Sequence, residues 1–235
     1  MPSTPVPMRT APLSPMQRIA AQHLARSLRE SVPVTLHGQV DAEALLALRA
    51  RLAARSGSPT RVTLTHLIVR AAALALRRHA GLNATLAGNE LQLHDGIHIG
   101  IAQSLADGAL VVPVLRHADR GAIDELAAAA QALAGRAAAG SLRLEDVQGA
   151  TFTVSNGGIV PSVRWTTPII PLGQAAILAI GALHEAVGAR EGAAVVRRVL
   201  PTSLSFDHRF VNGVPAARFL EDVHRLIEDA QALAA

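Results

Sequence analysis

Apolar positions first fall into a regular pattern just after a stretch rich in proline, serine and threonine. Ser14-Pro15-Met16-Gln17 has the form of a capping box with proline at N1, and Ile19, Ala20, Leu24, Ser27 and Leu28 recur at roughly helical spacing. The pattern predicts a helix from Pro15 to about Glu30. Val34 to Val40 alternates as a strand does, and Asp41 is placed to cap a second helix with Leu45, Leu48 and Leu52 on one face. Ser56-Gly57-Ser58-Pro59 is expected to end that helix. From Thr65 to about His79 the chain is nearly all apolar, which predicts a core helix with Gly81 as its C-cap.

The period then changes. Short strands are expected at Ala84 to Leu86, Glu90 to Leu93, Ile97 to Ala102 and Leu110 to Leu115, separated by the turn pairs Gly88-Asn89, Asp95-Gly96 and Asp107-Gly108. This spacing suggests a meander rather than a parallel series. Gly121 to Ala139 predicts an alanine-rich helix stopped by Gly140, and Leu144 to Val147 a further single turn. Strands follow at Thr151 to Val154, Ala175 to Ile180 and Val195 to Phe206, with Pro215 opening a terminal helix to about Ala232. The fold class expected is α/β, a two-layer sandwich of one central mixed sheet and flanking helices without internal repeats. Residues 1–12 read as a disordered lead-in or linker remnant and residues 13–235 as one domain.

Composition narrows the functional classes. All 22 basic residues are arginine and the net charge is only +4, with no basic cluster and 2% aromatic residues. Stacking platforms and basic stripes are therefore missing, and nucleic acid is not an expected partner. No apolar run approaches the ~18 residues of a membrane span, and the absence of cysteine fits a reducing cytoplasm and removes thiolate metal sites and cysteine nucleophiles. Lysine is absent too, so this stretch has no amine to which lipoate or biotin could be attached.

Two segments could carry chemistry. Asp207-His208-Arg209-Phe210-Val211-Asn212-Gly213 sits where a strand hands over to the last helix, and Thr153-Val154-Ser155-Asn156-Gly157-Gly158 ends a strand in a hydroxyl and two glycines. Taken singly, the first could be a structural histidine and the second an ordinary turn. His94 and His98 are four apart, but Asp95-Gly96 breaks any helix between them, so no metal site is expected there. Neither a Gly-x-Ser-x-Gly elbow nor a phosphate loop with lysine is present.

In combination these segments gain meaning. Pro12-Leu13-Ser14-Pro15-Met16-Gln17-Arg18-Ile19-Ala20, Leu82-Asn83-Ala84, Val112 to Arg116, Gly149 to Asn156, Gln174 to Leu178 and Leu204 to Arg209 follow one another in a familiar order. From Leu13 to about Ile227 the chain resembles the catalytic domain of the dihydrolipoamide acyltransferases of 2-oxo acid dehydrogenase complexes, relatives of chloramphenicol acetyltransferase. The resemblance implies acyl transfer between dihydrolipoamide and coenzyme A, with His208 as general base and Ser155 as donor to the oxyanion. It implies a homotrimer whose neighbouring subunits share these residues, a lipoyl group supplied by another domain or chain, decarboxylase and dihydrolipoamide dehydrogenase subunits as partners, and no metal.

Some positions depart from the family pattern. Asn212 stands where the family's His-x-x-x-Asp-Gly has aspartate, so an amide replaces a charge beside His208. Pro33-Val34 replaces a Pro-His pair, and Pro171-Leu172-Gly173-Gln174 an Asn-Pro-Pro-Gln stretch. Leu233 is the one large apolar side chain of the last eight residues, too little to suggest the apolar tail by which family trimers build larger cores. Two other readings fit the same motifs: a coenzyme A-dependent acyltransferase with a small-molecule acceptor, and a catalytically silent assembly scaffold. The acyl group is not legible at this level.

Overall fold

A computed structural model of the chain describes residues 8–55, 61–105, 108 and 110–234. The expected helix stop at Ser56-Gly57-Ser58-Pro59, residue Asp107 of one expected turn and residues 1–7 of the lead-in lie outside them.

Helix α1 (Pro15–Glu30) begins as its capping box dictates: Ser14 Oγ accepts from the Gln17 amide at 3.2 Å, and the Ser14 amide donates back to Gln17 Oε1 at 2.8 Å. Strand β1 (Pro33–Asp41) follows, then α2 (Glu43–Ala53), for which Asp41 is one residue too early to be the N-cap. Ala42 holds that position, because Asp41 is still paired with Val199 in the sheet, although the Asp41 carboxylate does accept from the Glu43 amide. Helix α3 (Leu64–Leu76) starts one residue ahead of the expected Thr65, since Thr63 and His66 close a capping box there. Gly81 is not its C-cap. The Arg78 and His79 amides bond back to Ala75 and Leu76, so the last turn tightens and is satisfied before the chain reaches the 3₁₀ turn at Ala80–Leu82.

The expected meander is replaced by two separate sheets. Strands β2 (Ala84–Ala87) and β3 (Glu90–Leu93) form a hairpin of their own. The buried Asn83 amide closes it by donating to the carbonyls of His94 and Gly96. The chain then enters the large sheet with β4 (Ile99–Ser104), β5 (Leu110–Val111) and β6 (Val114–Leu115). Pro113 splits the expected Leu110 to Leu115 strand because it has no amide to give a ladder; its carbonyl still accepts from Ile101.

Next come α4 (Ile123–Ala138), α5 (Leu144–Val147), β7 (Phe152–Asn156), β8 (Ala176–Ile180), β9 (His184–Arg190), β10 (Ala193–Asp207) and α6 (Gly213–Asp229). The large sheet has the order β1-β10-β8-β7-β4-β5, with β6 also on β4 and β9 also on β10. β4, β7 and β8 run parallel and the remaining pairs antiparallel, so the sheet is mixed as expected. Every residue of β8 is buried, the signature of a strand covered on both faces. Strand β9 was not anticipated. It returns to β10 through Glu191 and Gly192, both at positive φ (51° and 81°), the conformation a two-residue hairpin loop requires.

Helices α2, α3, α4 and α6 cover one face. Phe152 of β7 meets Phe219 of α6 with ring centroids 5.5 Å apart. Inside this layer Arg70, 2% exposed, donates to the carbonyls of Ala118, Arg120 and Gly121 and so fixes the loop that leads into α4. On the other face the β10 hydroxyls form a ladder with β1: Ser205 lies 2.7 Å from Thr35 Oγ1, and Ser203 lies 3.0 Å from His37 Nδ1. Pro215 falls at the third position of α6 rather than opening it, and the helix ends at Asp229, three residues short of expectation, where Ala230 turns left-handed. The chain then folds back as a 3₁₀ turn that puts Leu233 at 0% exposure in the core.

His224 of α6 lies against β1 and β10, its Nε2 2.9 Å from Thr202 Oγ1, and burial lowers its pKa to about 4. A depressed histidine stabilises the fold fully above its unfolded value near 6.5, and the contribution is lost as pH falls through the folded one. The urea midpoint is expected to fall between pH 6.5 and 4, by about 2 kcal/mol of stability from this residue. His224→Gln should flatten the profile in that window.

Candidate active site

Strand β10 delivers His208 from a rigid base. Its last residue, Asp207, is 2% exposed, and the Asp207 amide donates to the Ala175 carbonyl while the Asp207 carbonyl accepts from the amides of Phe210 and Val211. The carboxylate accepts from the Val32 and Arg209 amides at 3.2 and 3.1 Å and from the Arg209 guanidinium at 2.6 to 3.0 Å. Burial pushes this carboxyl up, but the Arg209 side chain and the two amides outweigh it and hold the pKa below its ordinary value. The His208 amide donates to the Val32 carbonyl at 2.8 Å, so the strand end and the segment before β1 are tied on both sides of the histidine. The His208 side chain itself is exposed, its ring 5.6 Å from that of Phe206. Asn212 is exposed at the N-cap of α6 without a capping bond from its side chain. Among the described residues neither His208 nitrogen has a hydrogen-bond partner, Asn212 included.

Ser155 sits half-buried near the end of β7, on the wall of a cavity of about 350 Å³ bounded by α3, α4 and β4. The next residue locks the strand end: Asn156 Nδ2 donates to Thr65 Oγ1 at 3.0 Å, and Asn156 Oδ1 accepts from the Gly158 amide at 2.9 Å. The second glycine is required by packing, since a Cβ at Gly158 would stand 2.3 Å from the Gly181 carbonyl oxygen. Both candidate segments are thus built, yet one chain does not bring them together. Ser155 is level with Ala179 and, one strand further, with Ser203; His208 lies five residues beyond. At about 3.3 Å per residue and 4.8 Å per strand, roughly 19 Å separates them.

His94 and His98 go to different partners: His94 Nε2 is 2.9 Å from Thr85 Oγ1, while His98 Nδ1 accepts from the His117 amide at 3.0 Å. Burial, with help from His117 and Arg116, lowers the His98 pKa. The feature that sequence reasoning missed is the Asp207–Arg209 clamp. Its signal was present in the charges at i and i+2 around His208, but only the buried strand end makes Asp207 need them.

Solved structures with this architecture define the class first. The chain shares a TM-score of 0.56 with chloramphenicol acetyltransferase over 88% of its length and 94% of that chain, at 14% identity, a likeness of fold alone. The family model for the 2-oxoacid dehydrogenases acyltransferase (catalytic domain) matches residues 6–235, and the chain belongs to that family. It is 36% identical over 225 residues to the dihydrolipoyllysine-residue acetyltransferase component of the acetoin cleaving system of Bacillus subtilis. That match takes in 94% of this chain and 56% of the relative, so the chain spans about half the length of the curated relatives it matches. A crystal structure of the Azotobacter vinelandii dihydrolipoamide acetyltransferase, from work on the role of a serine, a histidine and an asparagine in its catalytic mechanism, has a TM-score of 0.91. Identity there is 32%, with both chains covered completely.

Asp207→Asn keeps the shape of the clamp and removes its charge. It is expected to cost about 1.5–3 kcal/mol in urea unfolding at pH 7, discounted for the exposed side of Arg209. Because the native carboxyl is the more acidic one, the difference from wild type should shrink as pH falls below about 4.

Proposed function

We propose that this domain moves an acyl group between coenzyme A and a dihydrolipoyl thiol, with His208 of one subunit and Ser155 of its neighbour acting on the same thioester. One observation carries the reading. In the Azotobacter vinelandii acetyltransferase the serine and histidine are 52 positions apart and the histidine and asparagine four, against 53 and four for Ser155, His208 and Asn212 here. Asparagine at position 212 thus matches a relative studied for its mechanism.

The chemistry follows from ordinary acidities. A thiol near ~8.5 and an imidazole near ~6.5 differ by two units, so proton transfer between two such groups in water costs about 2.7 kcal/mol, a modest demand on a general base. The thiolate adds to the thioester carbonyl. The Ser155 hydroxyl donates to the oxyanion that forms, an interaction worth ~3 kcal/mol when aimed at developing charge. Collapse expels the second thiolate, which takes the proton back from the imidazolium. His208 is held by its backbone, through Val32 and the Asp207 clamp, while its ring stays free to meet a thiol. The Asn212 amide, four residues on, is available to orient the ring but offers no charge to fix it as imidazolium. Coenzyme A enters as substrate, and the lipoyl arm comes from another domain or chain, as the absence of lysine here requires.

A distance of roughly 19 Å cannot be bridged by one thioester, which is why the reading needs a second subunit. A homotrimer supplies it, and Ile19, Leu24 and Leu28, all exposed on α1, offer apolar surface for such contacts. Leu233 is buried inside its own fold and contributes no surface to contacts between trimers. The decarboxylase and dihydrolipoamide dehydrogenase partners of such a complex belong to the same reading.

His208→Ala is expected to lower kcat by ~10²–10⁴ and Ser155→Ala by about 10², with circular dichroism unchanged. Co-expressing the two variants should regain activity, because mixed trimers contain interfaces with both native residues; no recovery would overturn the shared site. Light scattering at micromolar concentration should report a trimer, and a monomer or a larger particle would contradict the assembly proposed.

A further inference from the structure

The cavity beside Ser155 has a second polar wall. Of the described residues lining it, none carries a fixed charge and His66 alone can titrate. His66 is the third residue of α3, 7% exposed, and its Nδ1 lies 3.3 Å from the Thr63 amide nitrogen. That amide can only donate, so Nδ1 must accept and the neutral ring carries its proton on Nε2. Burial favours this neutral state by lowering the pKa from its ordinary value. Among the described residues nothing accepts from Nε2, which is not among the fully buried unpartnered atoms, and His66 lines the cavity. Nearby, Thr65 Oγ1 already accepts from Asn156, which leaves the Thr65 hydroxyl hydrogen to donate. Among the described residues the wall therefore offers neutral donors and no cation. Neutral donors suit a carbonyl oxygen, whereas a carboxylate buried here would lose its water without gaining a counter-charge.

We propose that His66 is a substrate-contacting residue that donates through Nε2 to a neutral carbonyl oxygen of the acyl coenzyme A, and that the cavity takes an uncharged acyl group in preference to one ending in a carboxylate. The proposal rests on the acyl-transfer reading of Ser155 and adds to it the class of acyl group. His66 also caps α3, so the test must separate capping from contact. His66→Glu does so: glutamate at this position is a natural capping-box partner for Thr63, but it removes the donor and points an anion at the substrate. His66→Gln can cap with its amide oxygen and still donate with its amide nitrogen.

The experiment measures steady-state transfer to dihydrolipoamide from acetyl, isobutyryl and succinyl coenzyme A, together with thermal unfolding of each variant. Wild type is expected to favour acetyl or isobutyryl over succinyl by more than ten-fold in kcat/KM. His66→Glu should lose ten-fold or more in kcat/KM for acetyl coenzyme A without a lower Tm, the loss falling on the acyl donor and not on the KM for dihydrolipoamide. His66→Gln should regain most of that loss. An active enzyme whose His66→Glu variant stays within two-fold of wild type, or whose Gln variant is as impaired as the Glu variant, overturns the contact. Succinyl coenzyme A used as well as acetyl overturns the class of acyl group. A wild type that transfers none of the three groups overturns the transferase reading itself and this proposal with it.

Discussion

A carboxylate buried at the end of the longest strand must find hydrogen bonds, and much of the molecule is arranged by how Asp207 finds them. The guanidinium two residues on and the Val32 amide meet it, so the C-terminal end of β10 is fixed to the segment between α1 and β1. Antiparallel pairing then runs unbroken from Pro33 opposite Asp207 to Asp41 opposite Val199. Within this frame His208, one residue past the strand end, neither pairs in the sheet nor buries its side chain. Its exposure is a consequence of where the clamp sits.

The same strand shows how polar groups are kept inside without charge. Thr202, Ser203 and Ser205 are all buried, and each has a partner on a neighbouring element: His224, His37 and Thr35. Successive residues point to opposite faces, so Thr202 binds α6 while Ser203 and Ser205 bind β1 on the side away from the helices. Histidine serves as a neutral bonding partner at several such places, including His66 at the cap of α3 and His98 beside His117. His208 differs in having its ring left open, the arrangement a proton acceptor for an incoming thiol needs.

Separation of the candidate groups is also built in by topology. Parallel pairing of β7 with β8 and antiparallel pairing of β8 with β10 places Ser155 level with Ser203, five residues short of the β10 end. No side-chain rearrangement changes a sheet register, so a second subunit is required by the fold if the two are to act together. The fold-back after α6 buries Leu233 within its own subunit, so this leucine has no apolar area left to contribute to a neighbour.

The chain pattern alone determined helices α1, α3, α4 and α6 to within a few residues, the mixed sheet and the segments that carry His208, Ser155 and Asn212, because capping boxes, apolar periods and motifs are local properties. Sequence motifs also sufficed to point to the family. Local signals failed where a distant contact decided. Asp41 stayed in the sheet instead of capping α2 because Val199 was opposite it, β9 formed because Val195 to Val199 of β10 offered an edge, and the expected meander gave way when Asn83 closed its hairpin and sent β4 to pair in parallel with β7. Tertiary structure alone decided that Leu233 turns inward, that His66 joins Ser155 in lining one cavity, and that Ser155 and His208 stand far apart in one chain. Each of these depends on which strands lie side by side, and strand order is set by the burial of whole faces, which no short window of residues contains.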